Sequence, residues 1–131
     1  MAVFYVAIGG AVGSAGRYLL TVLIQSRVGA VFPVGTLLVN VSGALLLGFL
    51  AHYTANSPGV SGEMRLMLTT GLCGGYTTFS TFSYESVRLI EDGEYGRAGA
   101  YVGMSVALSL VGIVAGFSLA RALLAARRGM A

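Results

Sequence analysis

The chain lacks tryptophan and lysine, and it has one cysteine, one histidine, two prolines and five acidic residues among 131. Each scarcity excludes something. The lone thiol, Cys73, cannot close an internal disulfide, and in its glycine-rich stretch it reads as small packing filler. His52 stands by itself beside Tyr53, so no side-chain metal cluster is available and an interfacial position is expected for it. The acids are Glu63, Glu85, Glu91, Asp92 and Glu94, mostly between apolar runs. They form no triad with a serine and histidine, and there is no phosphate-binding loop or nucleophile elbow, so catalysis is not expected. None lies at the centre of an apolar run, where proton-driven cation transport usually keeps a carboxylate.

What is present is apolar. Hydrophobic residues make up 56% of the chain and charged ones only 10%, with a mean hydropathy of +0.82. Soluble domains are about 25% charged, so this is the composition of a membrane protein. The eight arginines are scattered, with Arg127–Arg128 the one adjacent pair. That spacing argues against a nucleic-acid footprint and suits contact of the tail with lipid head groups. Without tryptophan, the interfacial belt must rest on tyrosine and phenylalanine. No basic segment precedes the first apolar run, so no cleaved signal peptide is expected.

Four apolar segments, about 3–24, 34–53, 64–89 and 98–124, are each near the roughly 20 residues a span requires. Short turns separate them, carrying Asn56-Ser57-Pro58-Gly59 and Asp92-Gly93. The expectation is one all-α domain over residues 1–131, crossing the membrane four times.

The third segment is unusual. Residues 71–83 read Gly-Leu-Cys-Gly-Gly-Tyr-Thr-Thr-Phe-Ser-Thr-Phe-Ser. Glycine costs more than any other ordinary residue in a helix interior, and serine and threonine offer the backbone competing hydrogen bonds. A helix break is expected near Gly74–Thr78. In hydrocarbon, loosened backbone survives only where protein, water or an ion satisfies it, and broken helices at mid-membrane commonly mark ion sites.

Polar residues recur at helical spacing. Span one has Gly9, Gly10, Gly13 and Gly16, a face for close helix approach, followed by Arg17. That arginine is either a snorkelling anchor or the lining of an aqueous vestibule. In span two, Thr36, Asn40 and Gly43 share a stripe. The Asn40 amide either bonds a neighbouring helix or presents its NH₂ to an anion. Phe79 and Phe82 share a face of span three, beside Ser80 and Ser83, while Thr78, Thr81 and Glu85 form a further stripe. Glu85 is open to three readings: an interfacial position, a pairing with Arg88, or a pore role. Span four carries Tyr101, Ser105 and Ser109 at i, i+4 and i+8, then the small-residue pair Gly112 and Gly116. Its serines either back-bond to their own helix or line a polar path.

Counted over alternate ends of four spans, Arg65, Arg121, Arg127 and Arg128 face Arg27, Arg88, Arg97 and, if it snorkels that way, Arg17. Orientation follows the arginine and lysine imbalance, and here there is almost none. The chain can therefore insert both ways up and pair as an antiparallel homodimer, the alternative being one orientation fixed by smaller biases. Amide, hydroxyl and ring-edge groups without a central acid suit a small anion. Fluoride, small and a strong hydrogen-bond acceptor, is the natural candidate, although composition alone does not separate it from chloride.

These motifs resemble the Fluc/CrcB fluoride channel family along essentially the whole chain. Residues 9–18 (Gly-Gly-Ala-Val-Gly-Ser-Ala-Gly-Arg-Tyr) are similar to its first-span motif, 35–43 (Gly-Thr-Leu-Leu-Val-Asn-Val-Ser-Gly) to its second, and 71–83 to its third and most specific; Tyr101, Ser105 and Ser109 fall at its fourth-span polar positions. The resemblance implies a dual-topology, antiparallel homodimer in which two separate pores export fluoride passively from a microbe across its cell membrane. It implies pore roles for Asn40, Phe79 and Phe82, a hydroxyl track of Ser80, Thr81 and Ser83 ending at Glu85, and a vestibule role for Arg17. It also implies a structural sodium ion held by the backbone carbonyls of Gly74 and Thr77 from each protomer, with Thr36 near that interface. Two other classes compete. A four-span multidrug exporter would carry a buried glutamate in span one, where this chain has glycines and Arg17. A non-transporting assembly subunit would explain the small-residue faces but not the phenylalanine and hydroxyl track.

Overall fold

A computed structural model describes residues 1–29 and 31–129. The apolar runs become helices, and the turn formers between them become the connections. In order these are α1 (Ala2–Val28), α2 (Val34–Ala55), α3 (Gly62–Leu66) leading into a π-helical stretch (Met67–Cys73), α4 (Gly74–Tyr76), α5 (Phe79–Glu91) and α6 (Tyr95–Gly129). No strand occurs among the described residues. Helices α1, α2 and α6 are each long and apolar enough to cross a membrane. At about 1.5 Å per residue, the 35 residues of α6 reach roughly 50 Å, well past a hydrocarbon core of about 30 Å.

Side chains and glycines fix the turns. Gln25 clamps the α1–α2 connection: its Oε1 accepts from the Gly35 N–H at 3.2 Å, and its Nε2 donates to the Phe32 carbonyl at 3.0 Å. Gly29 there has φ 85°, a left-handed conformation that suits a residue without Cβ. Ser61 caps α3 by accepting from the Met64 N–H. Gly93, φ 76°, turns the chain from α5 into α6.

Two glycine seams set the packing. Along the first, α1 lies backbone to backbone against the π-helical stretch and α4. A Cβ on Gly71 would stand 3.0 Å from the Gly9 Cα, and one on Gly75 only 2.6 Å from the Gly10 carbonyl oxygen. Along the second, α2 and α6 form the most extensive pairing in the chain, and a Cβ on Gly112 would stand 3.1 Å from the Val41 carbonyl. Small residues permit this approach, and in lipid dispersion contact is a main source of helix association. The Gly112/Gly116 pair of the fourth span is thus used inside the chain, against α2.

The third segment breaks within the expected window, at its threonines and not at its glycines. Gly71, Gly74 and Gly75 all remain helical. The extended residues are Thr77 (ψ 157°) and Thr78 (φ −149°, ψ 113°). Gly71 and Gly75 serve the seam with α1, and the chain leaves the helix after Tyr76, where a side chain from α2 takes over its backbone hydrogen bonds. The two pieces on either side of the break are individually too short to cross a bilayer, so together they supply the fourth crossing expected from the sequence or none.

Candidate functional site

Asn40 organises the break. Its Oδ1 accepts from the Thr78 N–H at 2.8 Å, and its Nδ2 donates to the Thr78 carbonyl at 3.1 Å. The amide therefore replaces both hydrogen bonds that a continuous helix would have given this residue, a requirement for polar backbone away from water. One Nδ2 proton is left over, because an amide nitrogen carries two donors. The two readings of Asn40, helix glue and anion donor, are compatible in this geometry.

Thr78 then starts α5. Its Oγ1 accepts from the Thr81 N–H at 3.2 Å, donates to the Thr81 Oγ1 at 3.0 Å and lies 3.3 Å from the Ser80 Oγ. This is an N-cap serving an orphan donor of the first turn. Ser83 donates to the Phe79 carbonyl one turn back. Ser80, Thr81 and Ser83 are thus committed to the start of α5 and do not line the adjoining cavity. Thr78, which capping chemistry could have singled out as a threonine just ahead of an amphipathic run, is the member of this group that does.

That cavity, about 370 Å³, lies between α2, the break and α6. Its polar lining comes from Asn40, Thr77, Thr78, Ser105 and Ser109; Phe79, Phe82, Ala44, Leu47 and Ile113 contribute apolar wall. Ser105 is 6% exposed, and its Oγ has no hydrogen-bond partner among the described residues. A buried hydroxyl ordinarily finds a partner, and this one borders the cavity. The rings of Phe79 and Phe82 are tilted at 46° with centroids 5.5 Å apart. Phe82 also packs on Tyr101 at 5.4 Å. Phe79 is 79% exposed, so this chain alone leaves that wall open.

Beyond Phe82 the polar line continues. Tyr101 donates to Glu85 Oε2 at 2.7 Å, and Thr36 donates to Glu85 Oε1 at 2.9 Å. Glu85 is therefore held by two hydroxyls, not paired with Arg88, which instead reaches Glu91 and Asp92. Thr36, expected near the interface between copies, is 2% exposed within this single chain, and its hydroxyl joins the Tyr101–Glu85 line. Arg17 lies on the α1 stripe of Thr21 and Gln25 and is partly exposed. It lines no part of the cavity beside the phenylalanines.

At the break itself, the Thr78 N–H, which a continuous helix would direct to the Gly74 carbonyl, is taken by Asn40. The Thr77 carbonyl receives no hydrogen bond among the described residues. A Cβ on Gly74 would meet nothing within 4 Å, so this corner is open.

Residues 4–117 match the model of the CrcB-like protein family, described as Camphor Resistance (CrcB). Among similar proteins is the fluoride-specific ion channel FluC of Rhizobium meliloti (strain 1021), 46% identical over 92% of this chain and 97% of the relative. The protein of the same name from Geobacter sulfurreducens is 50% identical over 90% of this chain and 95% of its own length. A third, from Syntrophotalea carbinolica, is 45% identical over 94% of this chain and all of the relative. With long membrane-crossing helices, a glycine-seamed broken third segment and a match over most of its length, the chain is a multi-pass membrane protein that belongs to the CrcB-like family.

Proposed function

We propose that this chain is a fluoride-selective channel that lets fluoride leave the cell passively through the cell membrane. The observation that carries the reading is the buried, unpartnered Ser105 hydroxyl beside Asn40, Phe79 and Phe82. A dehydrating fluoride ion needs hydrogen-bond donors to replace its water. Ser105, Ser109 and the spare Asn40 proton are such donors, and ring edges of the two phenylalanines add weak positive potential without holding the ion. Tyr101 and Thr36, gathered around Glu85, extend the polar line toward the α5–α6 turn. The names of the relatives support the choice of fluoride. Hydrogen fluoride enters uncharged from acidic surroundings and dissociates in a more neutral cytoplasm; a leak path down the membrane potential then lowers the trapped anion.

The finer reading is an antiparallel homodimer with two pores. It is supported by the near-even split of arginines, and by the open Phe79 wall and the open corner at Gly74, both of which a second inverted copy would cover. A structural sodium ion fits the same corner. Carbonyl oxygens suit a hard cation, and the Gly74 and Thr77 carbonyls are among those left without their helical donors at the break. Two from each protomer would hold it, and bound there the ion would neutralise the exposed ends of both broken helices.

The test is fluoride efflux from vesicles reconstituted with the purified protein, compared with chloride. Fluoride should leave far faster. Equal rates for the two halides, or no flux of either, would remove the reading. Cross-linking at Gly74→Cys and titration of sodium against flux address the dimer and the ion.

A further inference from the structure

A second cavity, about 440 Å³, opens at the α5–α6 turn, walled by α1, α5 and the start of α6. Its charged lining is Glu85, Arg88, Asp92, Glu94 and Arg97. Glu85 borders this cavity, and its oxygens accept from Tyr101 and Thr36. Tyr101 in turn packs on Phe82, which lines the other cavity, so the two are neighbours separated by one layer of side chains.

The arginines are loosely engaged. Arg88 lies 3.6 Å from Glu91 and 3.9 Å from Asp92, beyond good hydrogen-bond length, and all three side chains are more than half exposed. Arg97 meets Glu94 at 2.9 Å, both nearly half exposed. Exposed pairs of this kind are held by little more than thermal energy and yield to salt. A guanidinium presents five donors, so each arginine has capacity for a small anion. Against that, the lining holds three acids to two arginines, and its field as built is weakly repulsive to anions.

We propose that this cavity is an anion vestibule of the conduction path, in which Arg88 and Arg97 hold a passing halide and Asp92 and Glu94 compete with it for those guanidiniums. The inference rests on the fluoride-channel reading and names residues that the cavity beside the phenylalanines does not contain. Its sign is unusual: removing acids should help the anion, and removing arginines should hinder it. One unit charge near the path changes the local anion concentration about two- to threefold in dilute salt. The effect should fade as the screening length falls from about 30 Å at 0.01 M to well under 10 Å above 0.15 M.

The experiment is fluoride efflux from reconstituted vesicles at ionic strengths of about 0.01 M and about 0.3 M, using full-length protein checked for monodispersity. The double variant R88Q/R97Q should lose about fourfold or more in flux at low ionic strength and come within about twofold of wild type at high. D92N/E94Q should gain about twofold or more at low ionic strength only. R88K/R97K, which keeps both charges with fewer donors, should retain more flux at low ionic strength than R88Q/R97Q, and a loss equal to that of R88Q/R97Q would overturn the role of charge. Wild-type flux in R88Q/R97Q at low ionic strength would overturn the vestibule, and so would a deficit that salt does not change. A wild-type protein without fluoride flux would overturn the channel reading beneath it, so the two failures are distinguishable.

Discussion

The two halves of the third segment are held in place by opposite means. The first half, through Tyr76, is fixed by the absence of side chains: Gly71 and Gly75 lie against Gly9 and Gly10 of α1, backbone on backbone. The second half, α5, is hung on polar side chains. Asn40 holds Thr78 at its start, and Thr36 and Tyr101 hold Glu85 midway. Close packing tolerates almost no added volume. Hydrogen bonds to side chains tolerate volume but fail when a donor or acceptor is removed. The cavity lies on the hydrogen-bonded side. Donors placed for a helix partner can there also be shared with an ion, which packed glycine cannot offer.

The largest effect is expected at Gly75. Gly75→Val drives a side chain into the Gly10 carbonyl, and the expected cost is about 3 kcal/mol or more, read as loss of monodisperse protein or a collapsed unfolding temperature in detergent. Gly74→Val, one residue earlier and in open space, should fold normally and instead weaken dimerisation or sodium dependence. If both behave alike, the seam is misassigned.

Next in size is Asn40→Asp. It removes the donor to the Thr78 carbonyl and adds a negative charge beside the path. Fluoride flux should fall at least about tenfold, with about 1–3 kcal/mol lost from stability; undiminished flux would take Asn40 out of the pore. The phenylalanines should then separate from one another. Phe82→Ile loses contact with Tyr101 and should cost about 1–2 kcal/mol of stability as well as flux. Phe79→Ile should reduce flux with a stability change within about 0.5 kcal/mol in the single chain. Equal destabilisation by both would make Phe79 a packing residue and take it out of the pore.

The smallest structural effect is expected at Ser105→Ala. The hydroxyl makes no bond among the described residues, so stability should hold within about 0.5 kcal/mol or rise slightly, while fluoride flux falls. A loss of more than about 1 kcal/mol would mean that the hydroxyl has a structural partner after all.

Much of this was legible in the residues. The apolar runs located α1, α2 and α6 to within a few residues, since length and hydropathy are local properties. The 71–83 stretch announced a break because no regular element suits that mixture of glycine, serine and threonine. Its position within the stretch was not legible. Glycine lowers the cost of leaving a helix and also lowers the distance to a neighbour, and only the presence of α1 decides which use prevails. The hydroxyls behaved likewise. Ser83 and Ser105 are both serines on a polar stripe, yet one bonds the carbonyl a turn back and the other borders a cavity. That Thr36 meets Glu85, 49 residues away, was equally invisible in the chain order.

Composition and period are enough to settle the solvent, the long helices and the residue types from which a small-anion path could be built. Packing alone selects which glycines touch, which backbone groups Asn40 takes over and which buried hydroxyl has no partner among the described residues. Hydrogen-bond satisfaction and close contact are properties of pairs, and the partners lie in different helices.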